Sequence, residues 1–590
     1  MDILHESAED PLPLPPDIET NKDYSIQPGD SFFDYCNGSW LKAHPIPVSG
    51  PIGGVYDADG VMEQRVKELK KSVPDIGRFY ELLDHLFDQP EKSQAYFEAM
   101  KARFPKPATK EEAYTTMGKM MADGIELWST FILPTFNMIW KEGKLMGNLL
   151  PPMDFSNIGN EMDPEQMVPL IATKADNSAQ VLIIRGMGLD PSLFVTQPGF
   201  EPFWALMETK SLDELWELMT DALGYYASYV SREEMAEQHA TEAKLRMTAR
   251  NTLNYTLSYH LADRYVSPAF KEKYVNITQE IQASLRRRIQ QVDWMSETTK
   301  SNALDKLDHY ELFVAYPDKW YTDCVSKLSD CETMVEALHR NNRNTFNLKA
   351  HLLGGTDLFS YEISLNMADS NGQLIPADLT LVNAMYSPEW NCVFIYPALL
   401  LPPILIQNMS LAYEYAIFSI IGHEFTHGFD TMGSQYDKYG NKRNWWTVAD
   451  QMAFEERREN IINCYNHMEL DPERAPGVYG DGDRTQTENI ADLGGFLTAL
   501  DAYRDRLKEE GYFGKVYDDQ LRKFYESFGH LWCVQYDDNK FSILQKSDVH
   551  LHARLRVNGV VMNTDLWYEL YDVDRNNLLY LPKNHRAYIW

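Results

Sequence analysis

The spacing of apolar residues divides the chain into a long helical part and a later part that mixes strands and helices. From about residue 65 to 345, apolar positions recur every three or four residues, for example in segments 66–71, 211–230 and 277–292. This is the period of an amphipathic helix. The run Gln-Val-Leu-Ile-Ile-Arg at 180–185, which ends at a Gly-Met-Gly sequence, is β-like and predicts a small strand element.

From about residue 346 onward, strand-like segments at 378–382 and 392–396 precede further helical segments. The whole pattern predicts a mainly α fold with a small β component, of the α+β class. A chain of 590 residues is too long for one hydrophobic core, so at least two domains are expected. Residues 1–27 include the sequence Asp-Pro-Leu-Pro-Leu-Pro-Pro at 10–16 and predict a flexible leader outside the fold.

Candidate chemistry is concentrated first in the sequence Ile-Gly-His-Glu-Phe-Thr-His-Gly-Phe-Asp at 421–430. On a helix, His423 and His427 face the same way and can bind one zinc ion, and Glu424 can reach a water beside it. Taken alone, residues 423–427 could also be polar positions on an ordinary amphipathic helix. Asp430, three residues after His427, could support a ligand or simply be an acid at the helix end.

A catalytic zinc site needs a third protein ligand and one open position. The segment Thr-Gln-Thr-Glu-Asn-Ile-Ala-Asp-Leu-Gly-Gly at 485–495 has helical spacing and places Glu488 and Asp492 on one face. Glu488 suits the third ligand, and Asp492 suits a carboxylate that accepts a hydrogen bond from a ligand histidine. A solvated acidic face is the alternative in a chain with a net charge of -32.

Together the two segments resemble the neprilysin family of zinc endopeptidases, whose helices read like Gly-His-Glu-x-x-His-Gly-Phe-Asp and Glu-Asn-Ile-Ala-Asp-x-Gly-Gly. The resemblance runs from about residue 28 to the end and is closest in style to the bacterial oligopeptidases of the family. It implies one zinc ion per chain, held by His423, His427 and Glu488. It also implies that Glu424 is the general base and that Asp492 orients a histidine.

Further landmarks of the family lie in the same order along this chain. The sequence Val-Asn-Ala-Met-Tyr at 382–386 resembles the substrate-binding edge strand, which implies that Asn383 and the main chain of Ala384 hold the substrate backbone. Ser-Asp-Val-His at 547–550 and Leu-Arg-Val-Asn-Gly at 555–559 imply an oxyanion-stabilising His550 and a carbonyl-binding Arg556. His552 competes with His550, because the usual Pro-Gly turn of this segment is missing.

Two apolar residues, Ile420 and Trp532, are candidates for the pocket that takes the side chain after the cleaved bond. If no pocket opens beside them, they are ordinary core residues. The resemblance implies a thermolysin-like catalytic domain formed by 28–60 and 346–590, and a large helical domain at 61–345 that caps it and encloses a central cavity. It further implies short peptide substrates, cut on the amino side of bulky hydrophobic residues.

Composition excludes some partners. The net charge of -32 argues against nucleic acid as a partner, because phosphate binding needs basic patches. The chain has no apolar run near the roughly 20 residues needed to span a bilayer and no secretion signal at its start. We therefore expect a cytoplasmic location as the chain stands, or a periplasmic or secreted one if a leader was removed. A monomer is favoured, and the six cysteines predict free thiols or at most one or two bridges.

The sequence leaves two other functions open. One is a peptide-binding protein that keeps the fold without catalysis, although all of His423, Glu424, His427 and Glu488 are present. The other is a different zinc peptidase with a glutamate ligand, such as an aminopeptidase. No glycine-rich sequence for recognising a free amino terminus is found, which favours the neprilysin-like endopeptidase.

Overall fold

The structure is a computed structural model, and it describes residues 18–125, 134–141, 143–150, 173–175, 177–196, 200–368, 374–405 and 409–590. The chain divides into two compact units. Unit 1 takes its residues from 1–64, 265–316 and 380–590, and unit 2 takes its residues from 65–264 and 317–379.

Helices dominate the described residues. In chain order they are α1 (Ile18–Asn21), α2 (Phe32–Ala43), α3 (Asp57–Ser72), α4 (Pro74–Asp84), α5 (Pro90–Lys101), α6 (Lys110–Ala122), α7 (Ser178–Gly186), α8 (Glu201–Thr209), α9 (Leu212–Ala227), α10 (Arg232–Glu237), α11 (Glu242–Arg250), α12 (Asn254–Tyr265), α13 (Pro268–Gln291), α14 (Glu297–Asp308), α15 (Met334–Leu352), α16 (Leu358–Glu362), α17 (Leu411–Thr426), α18 (Val448–Asn466), α19 (Gly482–Glu509), α20 (Gly514–Leu531), α21 (Asp538–Lys546), α22 (Ala553–Val561) and α23 (Asp565–Leu570).

Strands are short and form small sheets. They are β1 (Thr135–Lys141), β2 (Lys144–Leu150), β3 (Thr173–Lys174), β4 (Phe194–Thr196), β5 (Glu311–Val314), β6 (Asn366–Ala368), β7 (Leu374–Pro376), β8 (Ala384–Ser387), β9 (Cys392–Ile395), β10 (Glu469–Asp471) and β11 (Ala475–Tyr479). Unit 2 holds a sheet of order β1-β2-β4-β3 and the pair β6-β7, and unit 1 holds a sheet of order β5-β9-β8 and the hairpin β10-β11. The predicted mainly α fold with a small β component is confirmed.

The core of unit 1 is organised around α17 and α19, which make the most extensive helix–helix contact in the described chain. The Ser410 side chain caps α17 by accepting from the Tyr413 amide, and Asp481 caps α19 by accepting from the Arg484 amide. Each cap satisfies an amide that the first helical turn leaves without a partner. The start of both helices is therefore fixed by local sequence.

Two glycines allow α17 and α19 to touch. A Cβ atom on Gly495 would lie 2.4 Å from the His423 nitrogen and 2.4 Å from the Ser419 oxygen. A Cβ on Gly422 would lie 2.8 Å from the Gly495 oxygen. Any larger residue would clash with backbone here, so the crossing is backbone against backbone.

Two local predictions were wrong. Segment 180–185 is not a strand but lies within α7, where the Asn177 side chain accepts from the amides of Ala179 and Gln180. Its buried residues include Ala179, Ile183 and Ile184, which are spaced as one helix face. Segment 378–382 is likewise irregular, and the strand begins only at Ala384.

The predicted leader of 1–27 is too long. Residues 1–17 lie outside the described part of the chain, but α1 begins at Ile18. The Lys22 ammonium is buried and donates to Glu526 on α20 at 2.7 Å. Burying a lysine next to a carboxylate partner fixes this segment to unit 1.

The compact units also divide the chain differently from the predicted domains. Residues 265–316, which the sequence placed in the helical capping domain, belong to unit 1, because α13 packs against both α17 and α19. Helical periodicity alone could not show which core a helix joins. All six cysteines are buried free thiols.

Candidate metal centre

Both histidines of the predicted metal motif lie at the end of α17. His423 belongs to the last turn of the helix, and His427 opens the 3-10 turn His427–Phe429 that follows. Their Nε2 atoms are 2.9 Å apart. The four-residue spacing therefore brings both imidazoles to one point, as the sequence predicts.

Glu488 on α19 meets this point from the other helix. Its Oε2 atom lies 3.2 Å from His423 Nε2 and 3.6 Å from His427 Nε2. The ligand atoms of the three residues all lie within 4.8 Å of one another. The glycine crossing of α17 and α19 is what allows this approach.

The donor set fits a zinc ion. Glu488 Oε2 is buried and forms no hydrogen bond among the described residues, although imidazole nitrogens lie close to it. A buried carboxylate oxygen without a hydrogen bond is costly, and a cation removes that cost. Two imidazoles and one carboxylate are the protein ligands of a catalytic zinc with one open position.

Each histidine is held from behind by a carboxylate. His423 Nδ1 lies 2.8 Å from Asp492 Oδ1, and His427 Nδ1 lies 2.6 Å from Asp430 Oδ2. Because an ionised carboxylate only accepts, both Nδ1 atoms carry the proton and both Nε2 lone pairs face Glu488. The predicted placement of Asp492 agrees with this geometry, and Asp430 supports His427 in the same way.

Arg556 also binds Asp492. Its Nε and Nη2 atoms donate to the two carboxylate oxygens at 2.7 and 2.6 Å, and its guanidinium lies 4.0 Å from the centroid of the Trp532 ring. Burial raises the pKa of Asp492, but Arg556 and His423 outweigh that effect and hold the pKa well below its usual range. Arg556 lies on α22.

The structure separates the two candidate histidines of the 547–556 segment. His550 Nε2 lies 3.1 Å from Glu488 Oε2, and its Nδ1 lies 2.9 Å from Asp548. His552 is buried elsewhere, where its Nε2 donates to the Phe541 carbonyl at 3.0 Å. Burial lowers the pKa of His552 to about 4. Only His550 lies beside the metal residues.

The predicted substrate-binding strand is an edge strand. β8 pairs antiparallel with β9 and is the outer strand of its sheet in the described residues. Asn383 is exposed and immediately precedes β8, whereas Ala384 is buried as the first residue of the strand. The Asn383 carbonyl accepts from the Tyr396 amide at 3.3 Å.

The remaining predicted residues lie in the same unit. Glu424 is buried on α17 directly after His423. Ile420 and Trp532 are half-buried, Ile420 on α17 and Trp532 at the end of α20. Whether these two line a substrate pocket stays a prediction.

The sequence reasoning missed Lys306 on α14. This lysine is buried and donates to three backbone carbonyls that follow the metal motif, those of Gly428, Gly433 and Tyr436. Burial lowers its pKa to about 7, and the carboxylates of Asp430 and Asp437 oppose that shift. A signal was available, because Lys306 lies three residues after the buried Ala303 on the apolar face of α14.

Comparison with known proteins agrees with this geometry. A sequence profile described as peptidase family M13 matches residues 383–587, which include every candidate ligand and supporting residue named above except Lys306. A second profile of the same family matches residues 208–317. The two matches together cover more than half of the chain. The chain belongs to peptidase family M13.

Relatives of this M13 chain include neprilysin-like proteins. The neutral endopeptidase of Lactococcus lactis subsp. lactis (strain IL1403) is 27% identical over 384 residues, which is 65% of this chain and 56% of that protein. Neprilysin-11 of Caenorhabditis elegans is 30% identical over 339 residues, 55% of this chain and 38% of that protein. Endothelin-converting enzyme-like 1 of Homo sapiens is 29% identical over 341 residues, 55% and 41% respectively. The chain thus spans between 38% and 56% of these relatives' length.

Solved structures share the fold of the M13 chain. The Mycobacterium tuberculosis zinc metalloprotease Zmp1 in its open state matches with a TM-score of 0.72 at 20% identity, over 96% of this chain and 100% of that one. PepO from Lactobacillus rhamnosis HN001 matches with a TM-score of 0.65 at 20% identity, over 96% of this chain and 100% of that one.

Among the described residues, no helix is both long and apolar enough to cross a bilayer.

Proposed function

We propose that this M13 chain is a zinc-dependent endopeptidase that hydrolyses short peptides. The observation that carries the proposal is the convergence of His423 Nε2, His427 Nε2 and a Glu488 oxygen from two helices, with carboxylates behind both histidines. Membership of peptidase family M13 and the neprilysin-like relatives support it. One zinc ion per chain would be held by these three residues.

A zinc ion in this site supplies Lewis acidity toward a peptide carbonyl and toward an attacking water. The chain's own residues perform the proton transfers. Glu424 adjoins His423 and would take the proton from the attacking water, then pass it to the departing amine. No described residue forms a hydrogen bond with its carboxylate, which leaves that group available for these transfers.

His550 would stabilise the charge that develops on the carbonyl oxygen. Asp548 accepts from Nδ1, so Nε2 is the atom that faces the metal residues. A protonated imidazole can donate from both nitrogens, and donors aimed at transition-state charge are the largest single aid to such reactions.

Substrate backbone would be held by β8 and by Arg556. An edge strand can accept an extended peptide as a further strand, with Asn383 and the main chain of Ala384 as its partners. The Nε and Nη2 groups of Arg556 are already bound to Asp492, so a substrate carbonyl would use Nη1. Ile420 and Trp532 would favour a bulky apolar residue after the cut.

The direct test is product mapping by mass spectrometry on a library of short peptides, with and without a chelator. We expect internal cuts before bulky apolar residues, equally in peptides with blocked termini, and complete loss of cleavage with the chelator. Products that arise only one residue at a time from free amino termini would instead favour an aminopeptidase.

Glu424→Gln separates catalysis from peptide binding. We expect it to bind one zinc ion per chain and to cleave no peptide. Glu414→Gln is the matched control, because Glu414 lies on the same helix but pairs with Lys273 away from the metal residues. If the wild type binds zinc and peptides but cleaves none of them, the chain is a binding protein and the proposal fails.

A further inference from the structure

The buried ammonium of Lys306 uses all three of its N–H donors on backbone. The distances from Nζ are 2.7 Å to the Gly428 oxygen, 2.6 Å to the Gly433 oxygen and 2.8 Å to the Tyr436 oxygen. Lys306 is 1% exposed. A neutral amine has only two N–H donors, so three inward-facing carbonyls favour the charged form.

These carbonyls belong to residues 427–436, which we call the ligand turn. It begins with His427 and contains the 3-10 turns His427–Phe429 and Gly433–Gln435. Lys306 contacts the ligand turn near its start, in its middle and at its end. One side chain from α14 therefore ties together both short turns.

Asp430 lies between the two 3-10 turns. Its Oδ1 atom accepts from the amides of Met432 and Gly433 at 2.8 and 2.7 Å, and its Oδ2 atom accepts from His427 Nδ1. The conformation of the ligand turn thus decides where the carboxylate meets the imidazole. Asp430 is 1% exposed, so its charge is screened little by water and the nearby Lys306 charge balances it.

The ligand turn packs tightly against itself at Gly433. A Cβ atom added at Gly433 would lie 1.8 Å from the His427 carbonyl oxygen. The Gly433 carbonyl also accepts from Lys306, and the Gly433 amide donates to Asp430. A change at Lys306 therefore passes directly to the pair that holds His427.

We propose that Lys306 is a positioning residue for the metal ligand His427, acting through the ligand turn and Asp430. The inference rests on the proposed zinc site and adds a residue on α14 to those that determine metal affinity. Polar groups that support a ligand commonly change metal affinity by about 10- to 100-fold when they are removed. A lysine that only stabilised the fold would not change it.

The test measures the zinc dissociation constant by competition with a chromophoric chelator, and thermal unfolding of the same samples. We expect Lys306→Met to raise the dissociation constant by about tenfold or more. The dissociation constant of Lys306→Gln should lie between those of Lys306→Met and the wild type, because an amide can still donate to two carbonyls. Lys349→Met is the matched control, since Lys349 is also a buried lysine that donates to a backbone carbonyl, that of Phe136, but lies in unit 2.

The route through Asp430 is tested by combining variants. In an Asp430→Asn background, Lys306→Met should weaken zinc binding much less than it does in the wild type, because the group it acts through is already changed. An equal loss in both backgrounds overturns the proposal. A folded Lys306→Met protein that binds zinc within about twofold of the wild type also overturns it. The same holds if Lys349→Met loses as much zinc affinity as Lys306→Met.

If Lys306→Met shows no cooperative unfolding, Lys306→Gln decides the question. Weaker zinc binding by a folded Lys306→Gln protein supports the proposal, and unchanged binding overturns it. Failure of the proposed function is recognised separately, because a wild-type protein that binds no zinc refutes the metal site itself. Wild-type zinc binding with unchanged Lys306 variants refutes only the positioning role.

Discussion

Asp492 performs two tasks that a pair of substitutions can separate. It accepts from His423 Nδ1 at 2.8 Å and from two nitrogens of Arg556 at 2.7 and 2.6 Å. The side chains of Arg556 and Asp492 are 11% and 5% exposed. Asp492→Asn keeps the shape of the side chain but removes the negative charge that faces both His423 and Arg556.

The expected magnitudes follow from this burial. Leaving one member of a buried ion pair without its counter-charge costs about 3 to 5 kcal/mol, and an asparagine oxygen can still accept one hydrogen bond, so about 3 kcal/mol is expected here. Loss of the carboxylate behind His423 should raise the zinc dissociation constant by about 10- to 100-fold. The loss of stability and the loss of zinc affinity have different origins, so a second substitution should be able to reverse one without the other.

Adding Arg556→Met to Asp492→Asn removes the unpaired guanidinium charge but does not restore the negative charge behind His423. The double variant should therefore regain most of the lost free energy of unfolding, since replacing buried ion pairs by apolar residues is often neutral. Its zinc affinity should stay low. Urea unfolding of the metal-free proteins and chelator competition measure the two quantities independently.

Asp501→Asn is the control, because Asp501 lies on the same helix and pairs with Arg288 at 2.8 Å. It should lower stability without changing zinc affinity. The reasoning is refuted if the double variant regains zinc affinity together with stability. It is also refuted if Asp492→Asn leaves both quantities unchanged.

Three further predictions follow from the packing of unit 1. Gly495→Ala should destabilise the fold by about 1 to 3 kcal/mol in urea unfolding and weaken zinc binding, whereas Gly60→Ala, where a Cβ meets open space, should do neither. Burial raises the pKa of Asp450, but hydrogen bonds from Ser296, Thr299 and Thr447 lower it to about 2. The ionised Asp450 carboxylate therefore stabilises the fold above pH 3.8, and this stabilisation is lost as the pH falls toward 2. Asp450→Asn should reduce the drop in melting temperature between pH 5 and pH 2.5, and equal drops would contradict this. A chelator should lower the wild-type melting temperature and leave that of Glu488→Gln unchanged, as measured by calorimetry.

The sequence predicted that the candidate metal residues would lie together, because their geometry is mostly local. A four-residue spacing on a helix is enough to bring His423 and His427 together, and the same rule pairs Glu488 with Asp492. That the two helices then meet depends on Gly422 and Gly495, whose contact no periodicity shows. Matching the two segments to one family replaced that missing information.

The misplaced elements have a common physical reason. A short apolar run such as 180–185 fits a buried helix as well as a strand, and only its packing and the Asn177 cap decide for α7. Residues 265–316 are helical as predicted, yet which core they join depends on contacts with α17 and α19 that are distant in sequence. The local sequence pattern thus predicts a helix or strand more reliably than it predicts which other elements that helix or strand packs against.

The supporting residues were the hardest to predict. Between His550 and His552 the sequence left two candidates, and only the fold shows that His552 donates to the Phe541 carbonyl. Lys306 lies more than a hundred residues before the ligand turn it contacts. Its hydrogen bonds go to backbone carbonyls, which every residue type carries, so no particular side chain in the sequence identifies its partners.

The crossing of α17 and α19 has a consequence for how the protein can vary. Because Gly422 and Gly495 meet backbone to backbone, the separation of the two ligand helices is set by the main chain and not by the size of neighbouring side chains. Substitutions elsewhere in the surrounding core can then accumulate without moving His423 relative to Glu488. At this crossing, intolerance to substitution is thus concentrated in two residues that bear no chemistry, while the side chains around it can vary more freely.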